Sequence, residues 1–596
     1  MLDTARSEGA GIDAKARADS ALWFAPNWTV LPLAARRCRV RNPLNGAVLE
    51  LSSGEYAALA ACEGCGTLSE HEARVAERLR APPEHRGAIR ALLERYTREG
   101  MLVGVEALVA RFGASTGAAP PAIAAIAVRT SDRPALLARL LASAEALQAR
   151  SGRHWRWLVI DDSRDALNQR ANGAEIGRRS GLEVTHYNHA AAAAFVGALR
   201  AEFPRQKAQI DWLLEGGAIG EPTYGRSLNH ALLCLAGRAL LTIDDDVVLE
   251  PRRAALSEPG FAMSDDSDEL LWFESDAALQ HACPPLEVDP LALHGDWLGL
   301  ALCDAWPQAE RDAGALAAAR FPAAHACRFA PNARVLFTQN HACGDPGSSL
   351  FPFHLLSLPA RSRAWLAATP SAAAHAFSRR INWRGQPRLR LATARPLTLT
   401  TVAGIDNTHL MPPTARSGRN EDLLLGKLAQ LLHPAAWYVD LPFGLVHRRE
   451  PAKSWLGPNA AFAQEPLHFL IEYIDGLAGA LLADRPEDRL ATVGAWLLDL
   501  AATSEARLTE LLEDHAADAA SRVRFAIAGQ MDDVALPPEW KSALASWLSS
   551  PALALDPDAL RSRIARPQSI RNLAQAYGQA VLAWPQLWAW CREERR

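Results

Sequence analysis

No apolar run in the 596-residue chain reaches the roughly 18–20 residues that a membrane-spanning helix needs. Met1 to Ser20 is polar and mixed in charge, without the apolar core of a secretory signal. Cysteine is sparse: nine residues, scattered and odd in number. Together with the missing export signal, that usage leads us to expect reduced thiols and a cytoplasmic location. Cys62 and Cys65 make the one close pair. No second pair or suitably spaced histidines complete a structural zinc site. An excess of one charge is also absent. The net charge is −4, so no nucleic-acid partner is expected. A His-Glu-x-x-His zinc-hydrolase motif is missing as well. What remains is the profile of an ordinary globular chain, 49% hydrophobic and 22% charged. At about 150 residues per domain, three or four units are expected.

Residues 1–25 read as a loose tail and 26–105 as a first compact unit. In that unit, 28–33 and 47–51 are short strands around an Asn45-Gly46 turn. Ser52-Ser53-Gly54-Glu55 opens a helix, and two more helices follow before Gly100 and the apolar Met101-Leu102-Val103. Small residues and proline mark 106–120 as a linker. From 121 to 454 strands alternate with helices, which implies α/β architecture with a parallel sheet. Strand 123–128 is followed by a helix with Pro134 in its first turn. Strand 157–160 ends in Asp161-Asp162, and strand 240–243 ends in Asp244-Asp245-Asp246. Carboxyl ends of such strands are where α/β sheets bind ligands, and clustered acidic oxygens there suit a hard divalent cation. The stretch 252–400 reads as an interruption. Within it, 265–269 is expected to be a solvated acidic loop. The turn-rich run 337–349 lines an acceptor site or is simply a long loop. From 455 to 596 the pattern is helical, with Trp496, Trp547, Trp584 and Trp588 as core residues.

The ordered set Arg129-Thr130-Ser131-Asp132-Arg133-Pro134, Asp161-Asp162-Ser163, Gly225-Arg226-Ser227-Leu228-Asn229 and Asp244-Asp245-Asp246 resembles family 2 glycosyltransferases with the GT-A fold. The resemblance implies a GT-A core with a nucleotide-sugar donor. Arg129 and Thr130 would border base and ribose, with Asp161 or Asp162 on the base or ribose. Arg226 and Asn229 would sit near the nucleotide. Asp244, Asp245 and Asp246 would match the acidic donor motif, with Asp244 and Asp246 toward ribose and a Mn²⁺ or Mg²⁺ ion. His447 would add a later metal ligand, and Arg448 and Arg449 would meet the diphosphate. A second constellation spans 404–408 and 418–426. Its Glu421-Asp422 opens a helix, where carboxylates are favoured electrostatically, and it resembles the family's acceptor-side motif. There Asp422, or alternatively Glu421, would take the proton of an acceptor hydroxyl in an inverting transfer. Arg419 would pair with either carboxylate or with phosphate. The hairpin-then-helices order of 26–105 is similar to PqqD-like winged-helix domains, which bind a leader peptide for a tailoring enzyme. That resemblance implies a peptide acceptor, with a surface-glycan precursor or a small metabolite as the alternatives. Two other readings compete. A nucleotidyltransferase would carry a glycine-rich loop where Arg129–Pro134 stands. A non-catalytic peptide-binding scaffold would have no need of acidic motifs at all three places.

Overall fold

The computed structural model describes residues 21–594 except 27, 34–35, 63, 112–116, 217–222, 306–327, 329, 331–332, 345–352, 372–380, 394–400 and 449–464. Arg449 and the 345–349 end of the turn-rich run therefore lie outside the described residues. The chain is a mixed α/β protein.

The N-terminal unit carries two small sheets. One joins β1 (Leu22–Ala25), β5 (Gly64–Thr67) and β6 (Val103–Gly104); the other joins β2 (Thr29–Leu33), β3 (Arg37–Arg41) and β4 (Val48–Ser52). The alternation of Arg37, Cys38, Arg39, Val40 and Arg41 produces a strand that our reading did not anticipate: the arginines face solvent while Cys38 and Val40 are buried. Asn45-Gly46 turns β3 into β4, with Gly46 at φ 77°, a conformation glycine adopts freely. Ser52 and Glu55 then close a reciprocal cap on the first helix, as their spacing predicts. The expected linker is partly helical, over Val105–Ala110, because Val105 and Leu108 are buried in the core beneath the large sheet.

That large sheet has 12 strands. They are β7 (Ile123–Thr130), β8 (Arg156–Asp161), β9 (Glu183–Tyr187), β10 (Arg238–Asp244), β11 (Val247–Arg253), β12 (Phe261–Met263), β13 (Glu269–Trp272), β14 (Arg334–Gly344), β15 (Asn382–Gly385), β16 (Leu389–Ala392), β17 (Val402–Asn407) and β18 (Ala436–His447). The main path runs β12-β16-β18-β14-β17-β10-β7-β8-β9. β10, β7, β8 and β9 are mutually parallel, whereas β17 is antiparallel to both its neighbours. The chain steps outward from β7 to β8 to β9, then returns to lay β10 on the other side of β7. The strand order reverses there, and a crevice opens between the two carboxyl ends.

Both faces of this sheet are covered, so its strands are continuous apolar runs rather than alternating ones. Ile126, Val128, Trp157, Val159, Leu241 and Ile243 point into one core; Ala125, Ala127, Leu158, Ile160 and Leu240 point into the other. The helix Pro134–Ser151 covers the first face with Leu137, Leu140, Leu141 and Leu147, each fully buried leucine contributing roughly 1.5–3 kcal/mol. Gly152, at φ 67°, ends it. The other face is covered by helices that include Pro486–Ala502 and Pro567–Glu594. The C-terminal helices thus share a core with the sheet. Trp584 Nε1 donates to Met411 O at 2.6 Å, Tyr577 hydroxyl to Pro413 O at 2.9 Å and Trp588 Nε1 to Asn407 Oδ1 at 2.9 Å. Trp584 and Trp588 are buried, while Trp496 and Trp547 are partly buried at the margins of separate cores.

The stretch 252–400 is more integrated than the sequence implied, since it supplies β12 to β16 to the sheet. Two readings within it are overturned, the second in part. The 337–344 part of the turn-rich run is the interior of β14, with Phe337 to Ala342 largely buried between β17 and β18. The acidic run 265–269 is a loop up to Asp268 with Asp266 exposed, as expected, but its other carboxylates are tied inward rather than solvated. Asp265 accepts from Thr393, Asp268 pairs with Arg384 and Arg390, and Glu269 is buried. Buried arginines make burial of these carboxylates tolerable. Among the described residues no helix is long and apolar enough to cross a membrane.

Candidate functional site

The crevice between β7 and β10 is lined by charged residues from both strands. Register sets Arg129 directly beside Asp244, and Arg129 Nη2 donates to Asp244 Oδ1 at 2.6 Å. Thr130 Oγ1 donates to Asp245 Oδ2 at 2.6 Å. Asp245 and Asp246 form the turn between β10 and β11. Burial, reinforced by the neighbouring Asp246 charge, pushes the Asp245 carboxyl up to about 7 although Arg133 opposes it. Arg133 spans the turn, with Nη2 at 3.0 Å from Asp245 Oδ1 and Nη1 at 3.3 Å from Asp246 Oδ2. The main-chain oxygen of Asp246 accepts from Arg448 N at 3.1 Å and Arg139 Nη2 at 3.3 Å. Pairing of β18 with β11 places His447 opposite Val247, so its Nε2 lies 3.0 Å from Asp246 Oδ1.

One strand further out, β8 delivers Asp161 and Asp162. Burial works against ionisation of Asp161. Bonds from His186 at 3.1 Å, Ser163 N at 3.1 Å and Asn172 at 3.1 Å outweigh it and hold this carboxyl below its ordinary range. Asp162 accepts from Thr223 Oγ1 and pairs with Arg226. Arg226 also donates to Gly216 O at 2.5 Å. Asn229 lies elsewhere. Fully buried on the helix Tyr224–Cys234, it donates to Thr414 O at 2.9 Å and accepts from Thr414 N at 2.9 Å. It is a bolt between the helix and the 411–416 stretch, so the structure corrects its expected place near a nucleotide. Arg226 and Asn229, three residues apart, share a face of the helix; Arg226, nearer the N-terminus, reaches the edge, while Asn229 lies one turn deeper, in the core.

Gly225 makes that bolt close. A Cβ there would fall 1.8 Å from Ala415 O, a backbone atom with little freedom to yield. Gly225→Ala should therefore destabilise the protein by about 1–3 kcal/mol. Arg226 N donates to Arg416 O at 3.0 Å, so the same shift would disturb Arg226; melting curves measure the loss of stability.

Glu421 and Asp422 arrive from the opposite side. Asn420, in the left-handed region at φ 74°, breaks the chain direction just before the helix Glu421–Leu432. Arg129 Nη1 lies 3.7 Å from Glu421 Oε1. One arginine thus bridges the acidic turn and the Glu-Asp pair. Glu421 is buried and Asp422 half-buried. Burial, and then the Asp422 charge, pushes Glu421 up to about 8; burial pushes Asp422 up to about 6. Asp422 Oδ1 accepts from Leu423 N at 2.8 Å. The 404–408 stretch, expected beside this pair, is at the other edge of the sheet. β17 runs antiparallel to β10, so Asp406 and Asn407 pair with Ala239 and Arg238, at the start of β10. Arg419 stacks over Tyr224, 5.8 Å from the ring centre.

Among the described residues no three His, Cys, Asp or Glu side chains form a group arranged to hold a metal. Of the expected trio Asp244, Asp246 and His447, the fold brings together Asp246 and His447, while register turns Asp244 to Arg129. The remaining pair still fits a hard cation. Adjacent octahedral ligands about 2.1 Å from a metal lie about 3.0 Å apart, and such ions often take one or two protein ligands with substrate phosphates completing the shell. Arg133, Arg139, Thr223 and Tyr224 were missed by sequence reasoning. Position signals Arg133, in the loop after the first strand and next to the helix-opening Pro134. Nothing local signals Arg139, one turn into that helix. Comparison of the chain with protein-family models, with curated proteins and with solved structures finds no match.

Proposed function

We propose that the chain is a family 2-like glycosyltransferase with a GT-A fold, transferring a sugar from a nucleotide-diphosphate donor to an acceptor hydroxyl with inversion. The observation that carries this reading is the convergence at the β7/β10 reversal. There an acidic turn meets arginines on one side, and the Glu421-Asp422 pair stands on the other, tied to the turn through Arg129, which pairs with both Asp244 and Glu421.

Asp162 and Arg226 would bind the nucleoside at these strand ends, while Asp161, fully buried on His186, Ser163 and Asn172, supports them from behind. Asp246 and His447 would hold Mn²⁺ or Mg²⁺, which when bound neutralises the diphosphate as leaving group. Arg129 fixes Asp244 and Glu421 in one frame. Asp422 would take the acceptor proton, because a base whose pKa lies near neutral pH is ionised yet still basic. Glu421 is buried against Arg129, whereas Asp422 is half-buried and open to an acceptor. This selects Asp422 from the two carboxylates. The acceptor would be a peptide or a glycan precursor, the former presented by the PqqD-like N-terminal unit.

The test is a thermal-shift screen against UDP, GDP, CDP and TDP, with and without Mn²⁺, repeated on Asp246→Ala. Ligand at 100 times its Kd stabilises the native state by about 2.7 kcal/mol. We expect a metal-dependent rise with one nucleotide, lost in the variant. The absence of any shift with all four nucleotides would overturn the reading.

A further inference from the structure

The Asp245–Asp246 turn already has a cation, Arg133. It reaches one oxygen of each carboxylate, at 3.0 and 3.3 Å. Asp245 is fully buried and Asp246 nearly so, which would be costly for two adjacent carboxylates without a counter-charge. The two oxygens of Asp246 are divided between partners: Oδ1 faces His447 Nε2 at 3.0 Å and Oδ2 faces Arg133 Nη1 at 3.3 Å. The side of Asp246 that would meet a metal is therefore separate from the side the guanidinium holds. Arg133 keeps about a quarter of its side chain exposed, so it is not sealed from solvent. It also directly precedes the helix Pro134–Ser151, whose N-terminus points at the same edge. A helix N-terminus with an arginine fork favours a phosphate group.

Resting on the function proposed above, we propose that Arg133 is a resident counter-cation: it neutralises the Asp245–Asp246 turn in the empty site and shares its guanidinium with the diphosphate when a donor binds. The role has a signature that a purely structural arginine lacks. Arg133 attracts the nucleotide and repels the metal. Removing it should move the two affinities in opposite directions, whereas a loosened site would weaken both.

The experiment uses the full chain and two probes, Mn²⁺ alone, followed by the electron-spin signal of free Mn²⁺, and the nucleoside diphosphate selected in the screen, followed by calorimetry at saturating Mn²⁺. For Arg133→Met we expect diphosphate binding to weaken about 10- to 100-fold, as loss of charge-assisted hydrogen bonds implies. Mn²⁺ binding should tighten by about tenfold, as loss of a nearby positive charge implies. Arg133→Lys keeps the charge without the planar fork. It should bind Mn²⁺ like the unaltered chain and the diphosphate more weakly. This variant also covers the case in which the methionine variant fails to fold. Both affinities weakening together, or neither changing, in a folded variant would overturn the proposal. If the unaltered chain binds no nucleoside diphosphate, with or without Mn²⁺, the glycosyltransferase reading falls, and the role of Arg133 falls with it.

Discussion

Asp422→Asn should lower kcat about 10²- to 10⁴-fold, the range a positioned general base contributes. Its effect on binding of the nucleoside diphosphate should be small. The asparagine keeps an oxygen that accepts from Leu423 N, so the helix start survives while the proton acceptor is lost. Glu421→Gln should keep most of the activity, because it leaves Asp422 in place and burial already favours the neutral form of Glu421, which the amide resembles. The pH dependence follows from the same two groups. Asp422, raised to about 6, acts as a base only once ionised, so kcat should climb as pH rises through about 6. Glu421, raised to about 8, ionises later and adds a negative charge beside Asp422 and Arg129. A second inflection near 8 is therefore expected, and Glu421→Gln should abolish it. Single-turnover rates across pH 5–9 would measure all three. An inactive Glu421→Gln beside an active Asp422→Asn would reverse the assignment.

Arg390→Met should cost about 3–5 kcal/mol of stability, the usual penalty for stranding buried charge. Arg390 is almost wholly buried. Its Nε donates to Asp440 Oδ2 at 2.7 Å, its Nη2 reaches Asp268 Oδ1 at 3.2 Å, and its Nη1 donates to Asp266 O. Asp440 has no exposed surface and cannot turn to water when the guanidinium goes. The cluster ties β16 and β18 to the 265–268 stretch, away from the β7/β10 crevice. Melting temperature should drop by several degrees while folded protein keeps its nucleotide affinity. Adding Asp440→Asn should restore part of the loss, since it removes the stranded charge. A single variant that melts like the unaltered chain would show that Asp440 and Asp268 are not held as ions by Arg390.

The local pattern of residues determined a good deal. Apolar runs at 123–128, 157–160 and 240–243 specify buried strands, and the acidic ends of the last two place carboxylates at one edge. Pro134 and the Ser52–Glu55 pair mark helix starts through their own backbone chemistry. Glu421-Asp422 is legible for the same reason. These signals need only near neighbours in the chain.

Tertiary structure decided which charges meet. Nothing near Asp244 in the sequence says that Arg129 will face it, or that His447 will instead reach Asp246. Strand register makes both choices, and register follows from packing the whole sheet between two cores. The direction of β17 moved 404–408 to the far edge, and one further turn of helix carried Asn229 into the interior. The polar run in β14 and the acidic run 265–269 look solvated by composition. The first is buried, and the second is tied inward at Asp265, Asp268 and Glu269, because partners distant in sequence, Arg390 among them, supply the hydrogen bonds and charge that water would otherwise provide.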